Sequence, residues 1–431
     1  MSQDESFAAS PAYTSYVLGL FFGVAVLNML DRQILGMLVS PIQAEFGVSD
    51  TAMGFLTGPA FALFYAVAGI PIARWADRGV RRSIIALGLF LWSGLTLASG
   101  MAQSFVHLVV ARLGVGIGEA AGTPPAHSLL SDYFPPSRRA FALAVFSVGS
   151  SSGVALAHVM GGWVNEFWGW RAVFLVAGVP GLLLAALLRL TVKEPPRGRF
   201  ERQGADTGNE SWSTAVWTLL RIPSYRHLIV AASLHSFAFV GSAIWYPTFV
   251  TRVHGLSSGE IGMALGLTSS LPAGIGIFFG GAITDRLARR DVRWLQGFAA
   301  VVNFAYVPFA LGFLFVPDRI WAFACLVPAA FFIGASVPGM HVATQALAPV
   351  HMRSLASALN LLLLSVVGTG LAPFFVGLTN DLLQPSLGIE AVRYTLSIVA
   401  FTSLWSAFHN LMSARHLAKD LAQRGGYADH A

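Results

Sequence analysis

The chain has 431 residues, of which 55% are hydrophobic and only 11% are charged. Soluble domains carry about 25% charged residues, so this composition excludes a soluble domain and indicates an integral membrane protein. The formal net charge is +6, but the basic residues concentrate in loops on one predicted side of the membrane, which argues against nucleic acid as a partner.

Twelve apolar runs are each long enough to cross a membrane as a helix, which takes about 20 residues. The runs lack the alternation of polar and apolar residues that marks a membrane barrel, so the predicted fold is all-α. No cleavable signal peptide is evident, because the first eleven residues contain Asp4 and Glu5 but no Lys or Arg. The predicted helices lie at roughly 13–38, 51–73, 83–102, 105–131, 140–164, 172–190, 227–250, 261–284, 294–316, 320–347, 354–379 and 394–413.

The distribution of Arg and Lys predicts the orientation. If both termini lie in the cytoplasm, most of the 27 basic residues fall on the cytoplasmic side, as the positive-inside rule requires. We therefore expect a multi-pass protein of the cell membrane with cytoplasmic N and C termini. Two basic residues lie inside the membrane, and four fall outside: Arg171, Arg252, Arg319 and Arg393.

A polar segment rich in Pro, Gly and charge divides the twelve helices into six and six. It predicts an N-terminal six-helix bundle over 1–193, a cytoplasmic linker over 194–225, and a C-terminal six-helix bundle with a cytoplasmic tail over 226–431. Within the linker, Trp212, Val216, Leu219 and Leu220 have helical spacing. Two interpretations stay open for this stretch: a short helix on the membrane surface, or plain linker.

The two halves resemble each other. The pattern DRxxRR follows the second predicted helix at Asp77–Arg82 and the eighth at Asp285–Arg290. A further set of residues in the fifth helix recurs at a constant spacing in the eleventh, which indicates tandem duplication of a six-helix unit. The matching residues are Arg138, Gly153, Gly162, Asn165 and Glu166 in the first copy and Arg353, Gly368, Gly377, Asn380 and Asp381 in the second.

These motifs resemble the major facilitator superfamily along nearly the whole chain. Its loop signature is present at 73–82 and 281–290, although the first copy has Ala73 for the common Gly and places Gly79 one position early. Its helix 4 signature is present as Arg112, Gly116 and Gly118. The stretches NMLDR, RLGVGIGEA and WGWRAVFLVAGVPG, followed by KEPPRG, are similar to bacterial members of the Spinster branch. That resemblance implies twelve helices in two pseudo-symmetric bundles and export of lysolipids or sphingoid phosphates, in some members coupled to protons.

Charged residues inside the first bundle are the candidate site. Each costs roughly 2.5 to 3.5 kcal/mol at the membrane centre, so such residues must be paired, hydrated or functional. Asp31 and Glu119 are the predicted proton-coupling carboxyls, because burial raises the pKa of a carboxyl and a nearby guanidinium lowers it. Arg32 and Arg112 would compete for these carboxyls and hold an anionic head group, and Asn28 would hydrogen-bond within the same site. The alternative is a permanent ion-pair network that ties helix 1 to helix 4.

The DRxxRR loops predict a cytoplasmic gate. Asp77 would cap a helix start, and Arg81 or Arg82 would pair with Asp132 at the end of helix 4. The second copy lacks an acid at the end of helix 10, so its contacts should be weaker. The alternative is that these basic residues only set topology. The predicted gate residues are Asp77, Arg78, Arg81, Arg82, Asp132, Asp285, Arg286 and Arg289.

The helix interiors of the second half contain no Asp, Glu, Lys or Arg. Their polar and aromatic residues predict a cavity wall suited to an amphipathic ligand, with contacts between helices as the alternative for each residue. The predicted cavity-lining residues are His235, Trp245, Tyr246, Asn303, His341 and Asn360.

Other kinds of chemistry lack support in the sequence. Gly149–Gly153 matches GxSxG and Gly116–Ala121 matches GxGxxA, but both lie within membrane helices without a preceding strand. There is no P-loop, no His spacing suited to metal and one cysteine, so we expect no enzyme, no cofactor and no metal.

The sequence therefore predicts a monomeric secondary transporter that works by alternating access, couples to protons and moves a lipid-like amphiphile within membrane lipid. The alternatives are a proton-coupled symporter of small organic anions, a multidrug efflux protein and a passive lipid scramblase or channel.

Overall fold

The protein's fold is described by a computed structural model covering residues 10–200, 212–349 and 352–423. Nearly all of these residues are helical, and no strand occurs within these ranges. Lipid offers no hydrogen bonds, so a spanning segment must satisfy its own backbone, which a helix does. The predicted all-α fold is confirmed.

The helices follow one another with short connections, several of them single turns of π-helix. The helices are α1 (Pro11–Met37), α2 (Val39–Phe46), α3 (Asp50–Thr57), α4 (Pro59–Arg78), α5 (Arg81–Gly100), α6 (Phe105–Glu119), α7 (Thr123–Tyr133), α8 (Pro136–Thr191), α9 (Trp212–Leu220), α10 (Pro223–Phe249), α11 (Ser258–Leu265), α12 (Leu271–Ala288), α13 (Trp294–Phe315), α14 (Arg319–Ala335), α15 (Val337–Leu347), α16 (Arg353–Leu364), α17 (Ala372–Leu387) and α18 (Ala391–Ala422).

Ten helical stretches of the described chain are long and apolar enough to cross a membrane, and two of them hold two crossings each. The stretch Pro136–Thr191 has 56 residues and Leu355–Ala422 has 68, whereas one crossing needs about 20. Each long stretch turns at a glycine with positive φ, Gly169 at 77° and Gly388 at 57°, a conformation that glycine adopts without steric cost. The ten stretches therefore contain the twelve predicted crossings.

The helices form two compact units. The first contains the described residues 10–49, 59–200 and 256–263, and the second contains 50–58, 212–255, 264–349 and 352–423. The short segments 50–58 and 256–263 thus pack apart from the bundle that their sequence position predicts. The predicted bundle boundaries at 193 and 226 stay predictions.

Glycine allows a close contact between two helices of the first unit. A Cβ atom at Gly149 or Gly153 of α8 would collide with the carbonyl oxygen of Phe22 or Val26 on α1. Small residues let membrane helices approach in this way. This contact holds α1, which carries the candidate site, in a fixed register on α8.

The linker contains α9, which carries a buried Leu219 and an exposed Trp217. The helical spacing seen in the sequence thus corresponds to a helix. Its place on the membrane surface stays a prediction.

Candidate functional site

Two helices of the first unit supply the charged residues of the predicted site. Asn28, Asp31 and Arg32 lie on α1, and Arg112 and Glu119 lie on α6. Residues three or four apart share a helix face, so Asn28 lies beside both Asp31 and Arg32. The four charges meet as two ion pairs, Asp31 with Arg112 and Arg32 with Glu119.

The Asp31–Arg112 pair is enclosed and fully hydrogen-bonded. Nη1 of Arg112 donates to both carboxylate oxygens of Asp31, at 3.1 and 3.2 Å, and Nη2 donates to the Asp31 backbone carbonyl at 3.1 Å. Thr96 of α5 donates to the same carboxylate at 2.8 Å. Both charged side chains are buried. This pair joins α1, α5 and α6.

The Arg32–Glu119 pair is less symmetrical. Nε of Arg32 donates to Oε2 of Glu119 at 2.6 Å, and Nδ2 of Asn28 donates to the same oxygen at 3.1 Å. The other carboxylate oxygen, Oε1, is buried without a hydrogen-bond partner among the described residues. Glu119 has no exposed side-chain surface, whereas the Arg32 side chain is 20% exposed. One face of this pair can therefore meet a ligand or a proton.

Two aromatic rings of α4 support Arg32. Its Cζ atom lies 5.0 Å from the ring centre of Phe61 and 4.7 Å from that of Tyr65, and the two rings stack 5.7 Å apart. A guanidinium over an aromatic face gains about 0.5 to 2 kcal/mol. Sequence reasoning missed Phe61, Tyr65 and Thr96. The spacing of Phe61 and Tyr65 puts them on one helix face, but the sequence does not show that this face contacts Arg32.

Glu119 is also the last residue of α6. The helix is interrupted at Ala120–Gly122, and α7 starts at Thr123 with Pro124 and Pro125 in its first turn. Proline suits the first turn of a helix, where its missing N–H is not needed. The carboxyl group thus lies at a bend between two helical segments.

Arg81 is the centre of a buried ionic cluster beside the first DRxxRR loop. Its Nη1 donates to Asp132 at 2.5 Å and to Ser128 at 2.9 Å, and its Nε donates to Glu194 at 2.8 Å. The hypothesised contact of this loop with Asp132 is present and is made by Arg81. Glu194 was missed, because it lies far along the chain in KEPPRG.

The segment that follows α8 is fastened to this loop by several bonds. The backbone N–H of Arg82 donates to Glu194 at 2.9 Å, and Nη1 of Arg82 donates to the Val192 carbonyl at 2.6 Å. Arg197 donates to the carbonyls of Ala76 and Gly79. KEPPRG is therefore a structural partner of the first DRxxRR loop.

The remaining gate residues are exposed. Asp77 and Arg78 have no side-chain bond to another described residue, and the capping role of Asp77 stays a prediction. In the second copy, Asp285, Arg286 and Arg289 are exposed and form no side-chain network within the described part of the chain.

The polar residues of the second unit mostly bond across helices. Nδ1 of His235 lies 3.2 Å from Oδ1 of Asn303 and 3.1 Å from Oγ of Ser336. The Trp245 indole donates to the Pro373 carbonyl at 3.0 Å. Asn360 is buried and His341 is exposed. These bonds fit the alternative of helix contacts for His235, Trp245 and Asn303.

A small cavity inside the second unit has a volume of about 30 Å³. Tyr246 and Tyr306 line it, with their hydroxyl groups 3.3 Å apart, beside Ser242. Room for about one water molecule is available there, which is too little for an acyl chain. Tyr246 is the predicted cavity residue that borders this space.

Comparison with known proteins identifies the family. Residues 21–373 match the family model of the Major Facilitator Superfamily, most of the chain's length. The chain belongs to the Major Facilitator Superfamily. Its members are membrane transporters, and the predicted family and twelve-helix, two-bundle fold are confirmed.

Three known proteins show which members of the superfamily this chain is similar to. An MFS-type efflux pump of Mycolicibacterium smegmatis is 32% identical over 94% of each chain. A sphingosine-1-phosphate transporter, SPNS2 of Danio rerio, is 25% identical over 86% of this chain and 77% of the relative. The crystal structure of a bacterial homolog of the human lysosomal transporter Spinster, in an inward-facing and unoccupied conformation, superposes with a TM-score of 0.87. It is 30% identical and covers 96% of this chain and 99% of that one. The predicted likeness to Spinster proteins is confirmed.

Proposed function

We propose that this superfamily member is a proton-coupled secondary transporter of a lipid-like amphiphile with an anionic head group, such as a lysolipid or sphingoid phosphate. It would work in the cell membrane by alternating access. The observation that carries the proposal is the Arg32–Glu119 pair, in which a fully buried carboxylate depends on an Arg side chain that is partly exposed.

Competition for Arg32 would couple substrate to proton. A buried carboxylate is costly unless it is paired. When an anionic head group takes the guanidinium, Glu119 loses its counter-charge and protonation becomes favourable. When the anion leaves, Arg32 returns to Glu119 and the proton is released. The Oε1 atom of Glu119, which has no hydrogen-bond partner among the residues that the structure describes, would accept that proton.

Asp31 and Arg112 would have a supporting part in this exchange. Asp31 remains a candidate carboxyl, but three hydrogen bonds already satisfy its carboxylate. Glu119 is therefore the first carboxyl to test. The cytoplasmic gate would be the cluster around Arg81, which joins the first DRxxRR loop to Asp132 and Glu194.

The arrangement favours one anionic group on an apolar body. Arg112 is buried against Asp31, so Arg32 is the cation with exposed surface. A two-arginine clamp for a small organic anion would require Arg112 to leave Asp31. Arg32 also rests on Phe61 and Tyr65, which extend an apolar surface beside the charge.

Multidrug efflux is the second candidate function. The relative from Mycolicibacterium smegmatis is described as an efflux pump, and drug-like amphiphiles have the same combination of charge and apolar surface. Competition for transport between a lysolipid and a cationic dye would separate the two functions, because a head-group site built on Arg32 prefers the anion.

The test is transport by Glu119→Gln in proteoliposomes. We expect this variant to keep substrate exchange at equal pH and to lose accumulation driven by a pH difference, because the proton carrier is gone. Glu45→Gln is the matched control, since Glu45 is a partly exposed partner of Arg171 outside the site. Full pH-driven accumulation by Glu119→Gln would refute proton coupling through this residue.

Chain length and accumulation test the substrate class. A transporter of amphiphiles is expected to be inhibited by long-chain and not by short-chain phosphates, whereas a symporter of small anions gives the reverse. A scramblase or channel would equilibrate the lipid without accumulating it under any imposed pH difference.

A further inference from the structure

Two short helical segments occupy matching positions in the tandem repeat. When Asp77 is aligned with Asp285, Asp50 at the start of α3 aligns with Ser258 at the start of α11. Each segment belongs to a different unit from the long helix that follows it in the chain. Residues 50–58 belong to the second unit, although they lead into α4, and residues 256–263 belong to the first unit.

Asp381 of α17 caps the start of α3 within the second unit. Its two carboxylate oxygens accept hydrogen bonds from the backbone N–H groups of Asp50, at 3.1 Å, and Thr51, at 2.8 Å. The first N–H groups of a helix have no partner inside the helix and carry partial positive charge. A carboxylate from a distant helix therefore satisfies both donors and complements their charge.

Arg252 adds a second ionic contact at the same place. Its Nη1 and Nη2 donate to the two carboxylate oxygens of Asp50, each at 2.6 Å. Asp50 is buried, with 4% of its surface exposed. Paired, parallel hydrogen bonds of this kind are strong and directional. Asp381, Asp50 and Arg252 together form what we term the ionic latch.

The first unit contains the counterpart at the matching residues. Glu166, which aligns with Asp381, accepts from the backbone N–H of Gly259 at 2.9 Å. Asn165 donates to Ser258 at 2.7 Å. Ser258 stands where the other copy has Asp50, so this set, which we term the second latch, has no ion pair of the Asp50–Arg252 kind.

Close backbone contact accompanies both latches. A Cβ atom at Gly377 would collide with the carbonyl oxygen of Asp50, and one at Gly162 would collide with that of Ser258. Gly162 and Gly377 are themselves matching residues of the repeat. The duplication has thus preserved a tight helix contact together with its carboxylate cap.

We propose that the ionic latch acts as a gate during the transport cycle. It lies on the side of the membrane predicted to be outside. Residues 50–58 are joined covalently to α4, so a movement of α4 that carries α3 with it would break the Asp381 cap. The ionic latch would hold that side shut, and the second latch would assist more weakly. The proposal rests on alternating access but not on any particular substrate or on proton coupling.

The experiment measures distances between spin labels in the absence of substrate. Labels are attached to Met101→Cys and Ile389→Cys, two exposed positions at predicted outer helix ends, in a Cys325→Ser background. Loss of a carboxylate cap weakens a helix start by about 0.5 to 2 kcal/mol. We expect Asp381→Ala to raise the population with the longer distance roughly two- to thirtyfold.

Asp318→Ala is the matched control. Asp318 also caps a helix through two backbone N–H groups, those of Ile320 and Trp321, but its bonds are local. It should lower the unfolding temperature without moving the distance distribution. Equal distributions for Asp381→Ala, Asp318→Ala and the parent would overturn the proposal, whatever the transport assays give.

A double-mutant comparison tests Arg252 in the same assay. Asp50→Asn and Arg252→Gln each should enlarge the open population, and the double variant should fall short of the product of the two effects, because one interaction is removed twice. Independent effects would remove Arg252 from the latch. Glu166→Gln is expected to have the smaller effect of the two caps, and a larger effect than that of Asp381→Ala would reverse the proposed ranking.

Discussion

At the scale of single residues, the two ion pairs of the first unit have equal charges and different surroundings. Asp31 accepts hydrogen bonds on both carboxylate oxygens, whereas Glu119 accepts two on one oxygen. The first arrangement resists rearrangement, and the second leaves room for it. We therefore expect the Asp31–Arg112 pair to contribute mainly to stability and the Arg32–Glu119 pair to exchange its partners.

We expect Arg112→Gln to destabilise the protein by about 3 to 5 kcal/mol, because it leaves the Asp31 carboxylate buried without its counter-charge. The double variant Arg112→Gln with Asp31→Asn should recover most of that loss. Thermal unfolding in detergent measures both. If the double variant were as unstable as the sum of its single changes, the pair would not be coupled in the way its geometry implies.

Part of this site could be predicted from the sequence. The charged residues inside the first bundle predicted one site, in which Arg32 and Arg112 compete for the two carboxyls. Which Arg pairs with which carboxyl was not predicted, because Arg32 reaches Glu119 through a long, flexible side chain. Its aromatic support by Phe61 and Tyr65 depends on how α4 packs, and helical spacing alone does not report that.

At the scale of elements, the two copies of the DRxxRR loop have diverged. Arg81 is buried between Asp132 and Glu194, whereas its repeat partner Arg289 is exposed. The lack of an acid at the end of helix 10 predicted weaker contacts for the second copy. The part played by Glu194 was not predictable, since a Pro-rich segment after α8 reads as linker.

This divergence gives a matched pair of variants. Arg81→Gln should cost about 3 to 5 kcal/mol, because it leaves Asp132 buried and unpaired. Arg289→Gln at the equivalent position should stay within about 0.5 kcal/mol of the parent, as surface changes usually do. The unfolding temperatures of the two variants in the same detergent give the comparison. A similar loss for both would show that burial of Arg81 contributes nothing beyond its charge.

At the scale of the whole molecule, the tandem repeat and the twelve crossings were predictable because hydrophobic length and repeated motifs are direct properties of the sequence. The unit to which residues 50–58 and 256–263 belong could not be predicted from the sequence. Both segments continue without a break into apolar helices, and only their packing separates them. The sequence showed that Glu166 and Asp381 are matching residues of the repeat. That both cap the start of a helix became known only from the structure.

The remaining prediction concerns how the whole chain lies in the membrane. Most of its 27 basic residues lie in loops on one predicted side, and such loops stay in the cytoplasm. In a Cys325→Ser background we expect Met101→Cys to react with a membrane-impermeant maleimide on intact cells. Ser137→Cys, on the other predicted side, should react only after the cells are permeabilised. Both positions are exposed in the protein, so access to the reagent and not burial decides the labelling. Labelling in the opposite order would invert the protein and place the ionic latch on the cytoplasmic side, because both inferences depend on the same charge asymmetry.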